Sequence, residues 1–155
     1  RSYYDGARDR LVQWCSGAPS GISPLLHLIT ASSPTANQRK RRNTSKRAFR
    51  GILIEDKNEK EREEIRAFAL GAAETLGEVV WVRGMLRTKG LGLCHSICGN
   101  GLLMLHLYQA TDDRKWLDRA RHFGRVALSR WEELEKNTGQ SRTLFEGSAG
   151  AMFFF

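Results

Sequence analysis

The sequence predicts an all-α fold, an α/α barrel in which buried inner helices alternate with amphipathic outer ones. Two observations lead there. Apolar residues recur at three- and four-residue steps over long segments, the spacing of one helix face. Three glycine-bearing turns, "CSGAPSG" at 15–21, "CHSICGNG" at 94–101 and "FEGSAG" at 145–150, each introduce an apolar helix, which amounts to an internal repeat. No period-two alternation competes with this reading.

Taken in order, the first inner helix is expected over 22–29, "ISPLLHLI", with Ser23 and Pro24 suited to N-cap and first-turn positions. An outer helix is expected over 62–81, where Ile65, Phe68, Ala69, Ala72, Leu76, Val79 and Val80 line one face. Residues 101–108, "GLLMLHLY", are apolar nearly all round, as in a helix surrounded by others. A second outer helix is expected over 116–131. It carries Trp116, Leu117, Ala120, Phe123, Gly124, Ala127, Leu128 and Trp131, with Thr111 or Asp112 as N-cap. A last apolar helix starts at Ser148.

The net charge of +8 is not spread over this repeat. Residues 38–50, "QRKRRNTSKRAFR", hold seven Lys and Arg and no acid, leaving +1 for the remainder. The run reads as part of a disordered, solvated insertion over 32–59. A nuclear-localisation or nucleic-acid patch is the functional alternative. A single aromatic residue, Phe49, stands among the charges, too few to offer bases a run of stacking platforms, which argues against nucleic acid as a partner. The stretch 90–111, free of Asp, Glu, Lys and Arg, is too rich in Gly, His, Ser and Asn to cross a membrane, and no transmembrane segment is expected. Three cysteines and no secretory signal point to reduced thiols in the cytoplasm, or the nucleus, instead of a disulfide framework.

Within "KGLGLCHSICGNG", 89–101, Cys94 and His95 are adjacent in a segment bent by glycines at 90, 92, 99 and 101. Neighbouring side chains diverge on regular elements, so both reach one ion only where the backbone turns sharply. The pair alone is ordinarily core or loop and needs a third ligand. The first turn supplies one: Cys15 holds the place in its turn that Cys94 holds in the next. Two Cys and one His leave the fourth position of a tetrahedral zinc open, the pattern of a catalytic site.

Three segments in order, "VQWCSGAP" at 12–19, "KGLGLCHSICGNG" continuing into "LYQATDDRKWLDRA" at 107–120, and "LFEGSAG" at 144–150, resemble the lanthionine synthetase C-like (LanC-like) family. The resemblance implies an α/α toroid of seven helical hairpins, of which this chain corresponds to the C-terminal three or so across residues 1–155. It implies Cys15, Cys94 and His95 as zinc ligands. It further implies activation of a thiol, glutathione or a peptide cysteine, for addition to dehydroamino-acid residues. Lys89 and Arg142 are candidates to pair with a glutathione carboxylate, and Glu146 to orient a ligand or favour the positive end of the following helix. Ser16 stands where the eukaryotic family usually has His, and Ser96 and Ser20 where it has Gly, which puts proton transfer and turn geometry in question. Cys98 reads as a small buried hydrophobe, and His27, His106 and His122 as core or surface residues. The competing readings are an active thiol-addition protein, a catalytically inactive fragment that keeps zinc or glutathione, and a nucleic-acid-associated protein using the basic run. With hairpins absent, the fragment alone is expected to be inactive.

Overall fold

Asn58 and Glu61 begin the longest helix by capping each other. The Glu61 N–H donates to Asn58 Oδ1 at 2.9 Å, and the Asn58 N–H donates to the Glu61 carboxylate at 3.0 Å. This reciprocal box satisfies two orphan amides. In the computed structural model, which describes residues 12, 13, 15, 17–31, 57–138 and 142–155, six helices follow in order. They are α1 (Ala18–Ala31), α2 (Glu59–Arg83), α3 (Ile97–Thr111), α4 (Arg114–Ser129), α5 (Trp131–Asn137) and α6 (Ala149–Phe154). The expected insertion, 32–59, lies outside the described residues except for its last three, and of those Asn58 and Glu59 already belong to the start of α2.

Helix α1 starts earlier than Ser23. Gly17, at φ 79°, makes the left-handed turn that glycine favours, and Pro19 fills the first helical turn, where its missing N–H costs nothing. Pro24 is left inside the helix. Helix α3 also starts earlier, at Ile97 instead of Gly101. Ser96 is its N-cap, accepting from the Cys98 N–H at 3.1 Å while its own hydroxyl donates to the Gly92 carbonyl. The serine at 96 therefore serves as a helix cap and adopts an ordinary extended φ of −132°. Ser20 is likewise used, its hydroxyl donating to the Gly17 carbonyl at 2.7 Å.

The inner face of α2 differs from the apolar stripe expected of it. Its buried residues are Ala69, Ala73, Gly77 and Val80, whereas Phe68 is 75% exposed. Close approach of helices explains the choice of small residues. A Cβ on Gly77 would lie 2.5 Å from Leu107 of α3 and 2.7 Å from Trp116 of α4. On the facing side, Leu76 fills the space left by Gly21 of α1.

Helix α1 packs on α2 and α3 on α4, while α3 also meets α1, α2 and α6. This is the alternation expected of an α/α barrel, with α3 innermost. The turn between α3 and α4 is short. Asp112, at φ 57°, closes α3 with its N–H on the Tyr108 carbonyl at 2.8 Å, and Asp113 caps α4 by accepting from the Lys115 N–H at 2.9 Å. The cap is thus one residue beyond the expected Asp112. Helix α4 buries Trp116, Ala120, Phe123, Gly124 and Ala127; Leu128 is 58% exposed, and Trp131 opens α5. Fully buried Phe123 and Leu107 each contribute about 2–3 kcal/mol relative to exposure. Arg119 of α4 crosses to Glu78 of α2 at 2.8 Å and lies over the rings of Trp81 and Trp116. No β-strand occurs among the described residues, and none of their helices is long and apolar enough to cross a membrane.

Candidate metal centre

The three glycine turns meet at one end of the inner helices and are joined through main-chain hydrogen bonds. The Leu93 N–H donates to the Leu144 carbonyl at 3.1 Å and the Cys94 N–H to the Phe145 carbonyl at 2.8 Å, which ties the second turn to the third. The Cys15 N–H donates to the Cys94 carbonyl at 3.2 Å, which ties the first turn to the second. Cys94 is therefore the middle residue of the seam.

Glycine makes the seam possible. A Cβ on Gly92 would strike the Phe145 carbonyl and stand 2.6 Å from Glu146 Cα. The backbones of the two turns are in contact there, with no room for a side chain.

This seam brings two of the expected ligands together. The Cys94 thiol is pushed up to about 11 by burial first, then by its hydrogen bond with the Cys15 thiol and the charge of Cys15, and last by the Glu146 carboxylate. Two neighbouring thiols with a carboxylate nearby disfavour a second thiolate, since each negative charge raises the cost of the next. Gln13 Nε2 donates to Cys15 Sγ at 3.5 Å, a contact suited to a sulfur carrying negative charge. Nothing in the sequence marks Gln13 for this role.

His95 follows Cys94 and is half-buried, while Cys15 is exposed. Among the described residues no three His, Cys, Asp or Glu side chains stand together in a group poised to hold a metal ion. The seam thus assembles the thiol pair, with His95 beside it in the chain. The donor chemistry fits zinc: two adjacent soft sulfurs whose joint deprotonation is opposed by their own repulsion and by Glu146 are groups a divalent cation stabilises as thiolates.

The remaining candidates are more peripheral. Lys89 is exposed just before Gly90, whose φ of 88° bends the chain towards Thr138. Arg142 and Glu146 are exposed on either side of the Leu144 and Phe145 carbonyls. The Glu146 charge acts on Cys94, and no side-chain hydrogen bond caps α6. Ser16 lies outside the described residues. Cys98 is fully buried and its thiol is pushed up to about 12 by burial, as a small core hydrophobe should be. His27 and His122 are exposed, the latter edge-on to Trp81, and His106 is half-buried.

Helical pairs around an inner helix, with a cysteine pair on facing glycine turns, define a class of α/α proteins carrying a thiol-lined centre at one end. The match to a family model extends over the whole chain: residues 1–155 fit the lanthionine synthetase C-like protein family, and the chain belongs to it. Its fold is accordingly part of that family's α/α toroid. Two relatives are similar along nearly its full length. Glutathione S-transferase LANCL1 of Danio rerio is 32% identical over 148 residues, covering 96% of this chain and 28% of the relative. LanC-like protein GCL1 of Arabidopsis thaliana is 29% identical over 147 residues, covering 92% of this chain and 26% of the relative. The chain therefore spans little more than a quarter of the length of either.

Proposed function

We propose that this chain carries the zinc-binding, thiol-activating part of a LanC-like protein that adds glutathione or a peptide cysteine to dehydroamino-acid residues. The observation that carries the reading is the main-chain bond from the Cys15 N–H to the Cys94 carbonyl at 3.2 Å, which sets the two cysteines on adjoining turns. Cys15, Cys94 and His95 are the residues that would hold zinc. Bound there, zinc would supply an open coordination position at which an incoming thiol loses its proton near neutral pH. The name of the relative from Danio rerio supports glutathione as the thiol.

The chain's own groups have definite tasks in this reading. Exposed Cys15 keeps one side of the pair open to a second molecule. Lys89 and Arg142 offer cations to the carboxylates of glutathione, and Glu146 orients the incoming amine or holds a proton beside the pair. Addition forms one S–C bond at the alkene β carbon and returns the thiol proton to the α carbon, so no oxidant or reductant is consumed.

The test is metal analysis together with an addition assay. Purified protein is expected to hold about one zinc per chain, and Cys15→Ser and Cys94→Ser to lose most of it. In the full-length protein, addition of glutathione to a dehydroalanine peptide should stop with a chelator and with either variant. Equal zinc in Cys94→Ser and its parent would remove Cys94 from the centre, and chelator-resistant addition would remove zinc from the reaction.

A further inference from the structure

Asn100 is a fully buried polar side chain in an otherwise apolar helix, and none of the functional roles above uses it. Its Nδ2 donates to the Val12 carbonyl at 2.9 Å, 88 residues earlier in the chain, and to the Gly84 carbonyl, also at 2.9 Å. Chemistry fixes this orientation of the amide, because the reverse would set Oδ1 against two carbonyl oxygens.

One acceptor precedes the first turn and the other ends α2. Val12 is three residues before Cys15, and Gly84 closes α2, its N–H on the Val80 carbonyl at 2.7 Å. A Cβ on Gly84 would stand 2.8 Å from Asn100 Nδ2, so the close approach requires glycine there. Asn100 itself lies one turn beyond Ser96, the cap that directly follows Cys94 and His95.

We infer that Asn100 is a positioning residue, which anchors the Cys15 segment to the helix that follows Cys94 and so keeps the two thiols in register. Between the first and second turns, the main-chain bond from the Cys15 N–H to the Cys94 carbonyl lies at the exposed thiol end. The Asn100 bond to Val12 holds the same segment from the interior, where water does not compete. Without it, the Cys15 segment loses its interior hold, and the register of its thiol with Cys94 loosens.

This inference rests on the thiol pair being the centre of the proposed function, but its test needs no metal. In chelator-treated protein, dibromobimane becomes fluorescent on bridging two neighbouring thiols, and monobromobimane reports labelling of single thiols, exposed Cys15 foremost; Cys98 is buried from both. Asn100→Asp and Asn100→Leu, close to Asn in shape, should slow bridging about tenfold, the scale of one or two lost hydrogen bonds, with monobromobimane labelling no slower. Leu107→Ala weakens the same helix core without touching the anchor and should lower the melting temperature while leaving bridging at the parental rate. Bridging at the parental rate in both Asn100 variants, or an equal loss in Leu107→Ala, overturns the inference. Should neither Asn100 variant melt cooperatively, Gly84→Ala, whose new Cβ pushes on the Asn100 amide as well as on the Val80 carbonyl, carries the same test, and a parental bridging rate there overturns it equally. Absence of zinc from the protein would defeat the proposed function and leave this result standing.

Discussion

Gly150 lies so close to Gly92 that a Cβ on Gly150 would stand 2.8 Å from the Gly92 Cα and 2.7 Å from the Leu93 nitrogen. The second and third turns therefore meet backbone to backbone beside Cys94. Gly150→Ala should force the turns apart and cost about 1–3 kcal/mol, the usual range for overpacking. Gly71→Ala is the matched control. It sits within α2 with nothing near the added methyl and should stabilise by about 0.5–1 kcal/mol through helix propensity alone. Denaturant melts of the two variants measure the contrast, and equal stabilities would mean that the turns are not in tight contact.

His106 gives the pH dependence of stability a definite sign. Burial holds its imidazole below the ordinary value of 6.5. The unfolded chain then takes up a proton at a pH where the folded chain does not, so stability rises with pH across that interval. The contribution is complete above about pH 6.5 and is lost as pH falls through the lower folded value. His106→Gln should flatten the slope of unfolding free energy against pH just below 6.5, measured by denaturant melts at closely spaced pH values. An unchanged slope would assign the dependence to other groups.

The basic run should be separable from the centre. Deleting residues 38–50 removes seven of the positive charges and is expected to leave zinc content and helicity unchanged while abolishing most salt-sensitive binding to nucleic acid. Circular dichroism, metal analysis and a filter-binding assay at two salt concentrations decide it. A loss of helicity would show the run to be structural, and sequence-specific binding by the parent would give it a function of its own.

Hydrophobic periodicity located α2, α3 and α4 because long amphipathic or fully apolar segments have few other folds open to them. Their edges were harder to read, and glycine is the reason. Gly99 and Gly101 look like turn residues, yet they lie inside α3, where they make room for the Leu93 carbonyl and the Phe154 ring. A glycine used for a turn and one used for close packing are identical in sequence. The inner face of α2 was obscured for a related reason, since Ala69, Ala73 and Gly77 carry too little hydropathy to outweigh exposed Phe68. The equivalence of Cys15 and Cys94 was legible because both occupy the same place in repeated turns. Gln13 gave no signal. Asn100 did give one, as a polar residue between two glycines at the head of an apolar run.

The seam through Cys94 is written in main-chain amides and absent side chains, and that separates scaffold from chemistry. Leu144 and Phe145 accept hydrogen bonds through their carbonyls while their side chains remain 37% and 50% exposed. Cys15 and Cys94 join the seam through their peptide groups, so their thiols are free of any part in holding it. Replacing either with another small side chain, aspartate or serine for instance, changes what the turn presents without removing a brace. The turns amount to a socket whose fittings are interchangeable, able to drift from one ligand set to another, or to none, while the glycines at 92 and 150 stay where they are.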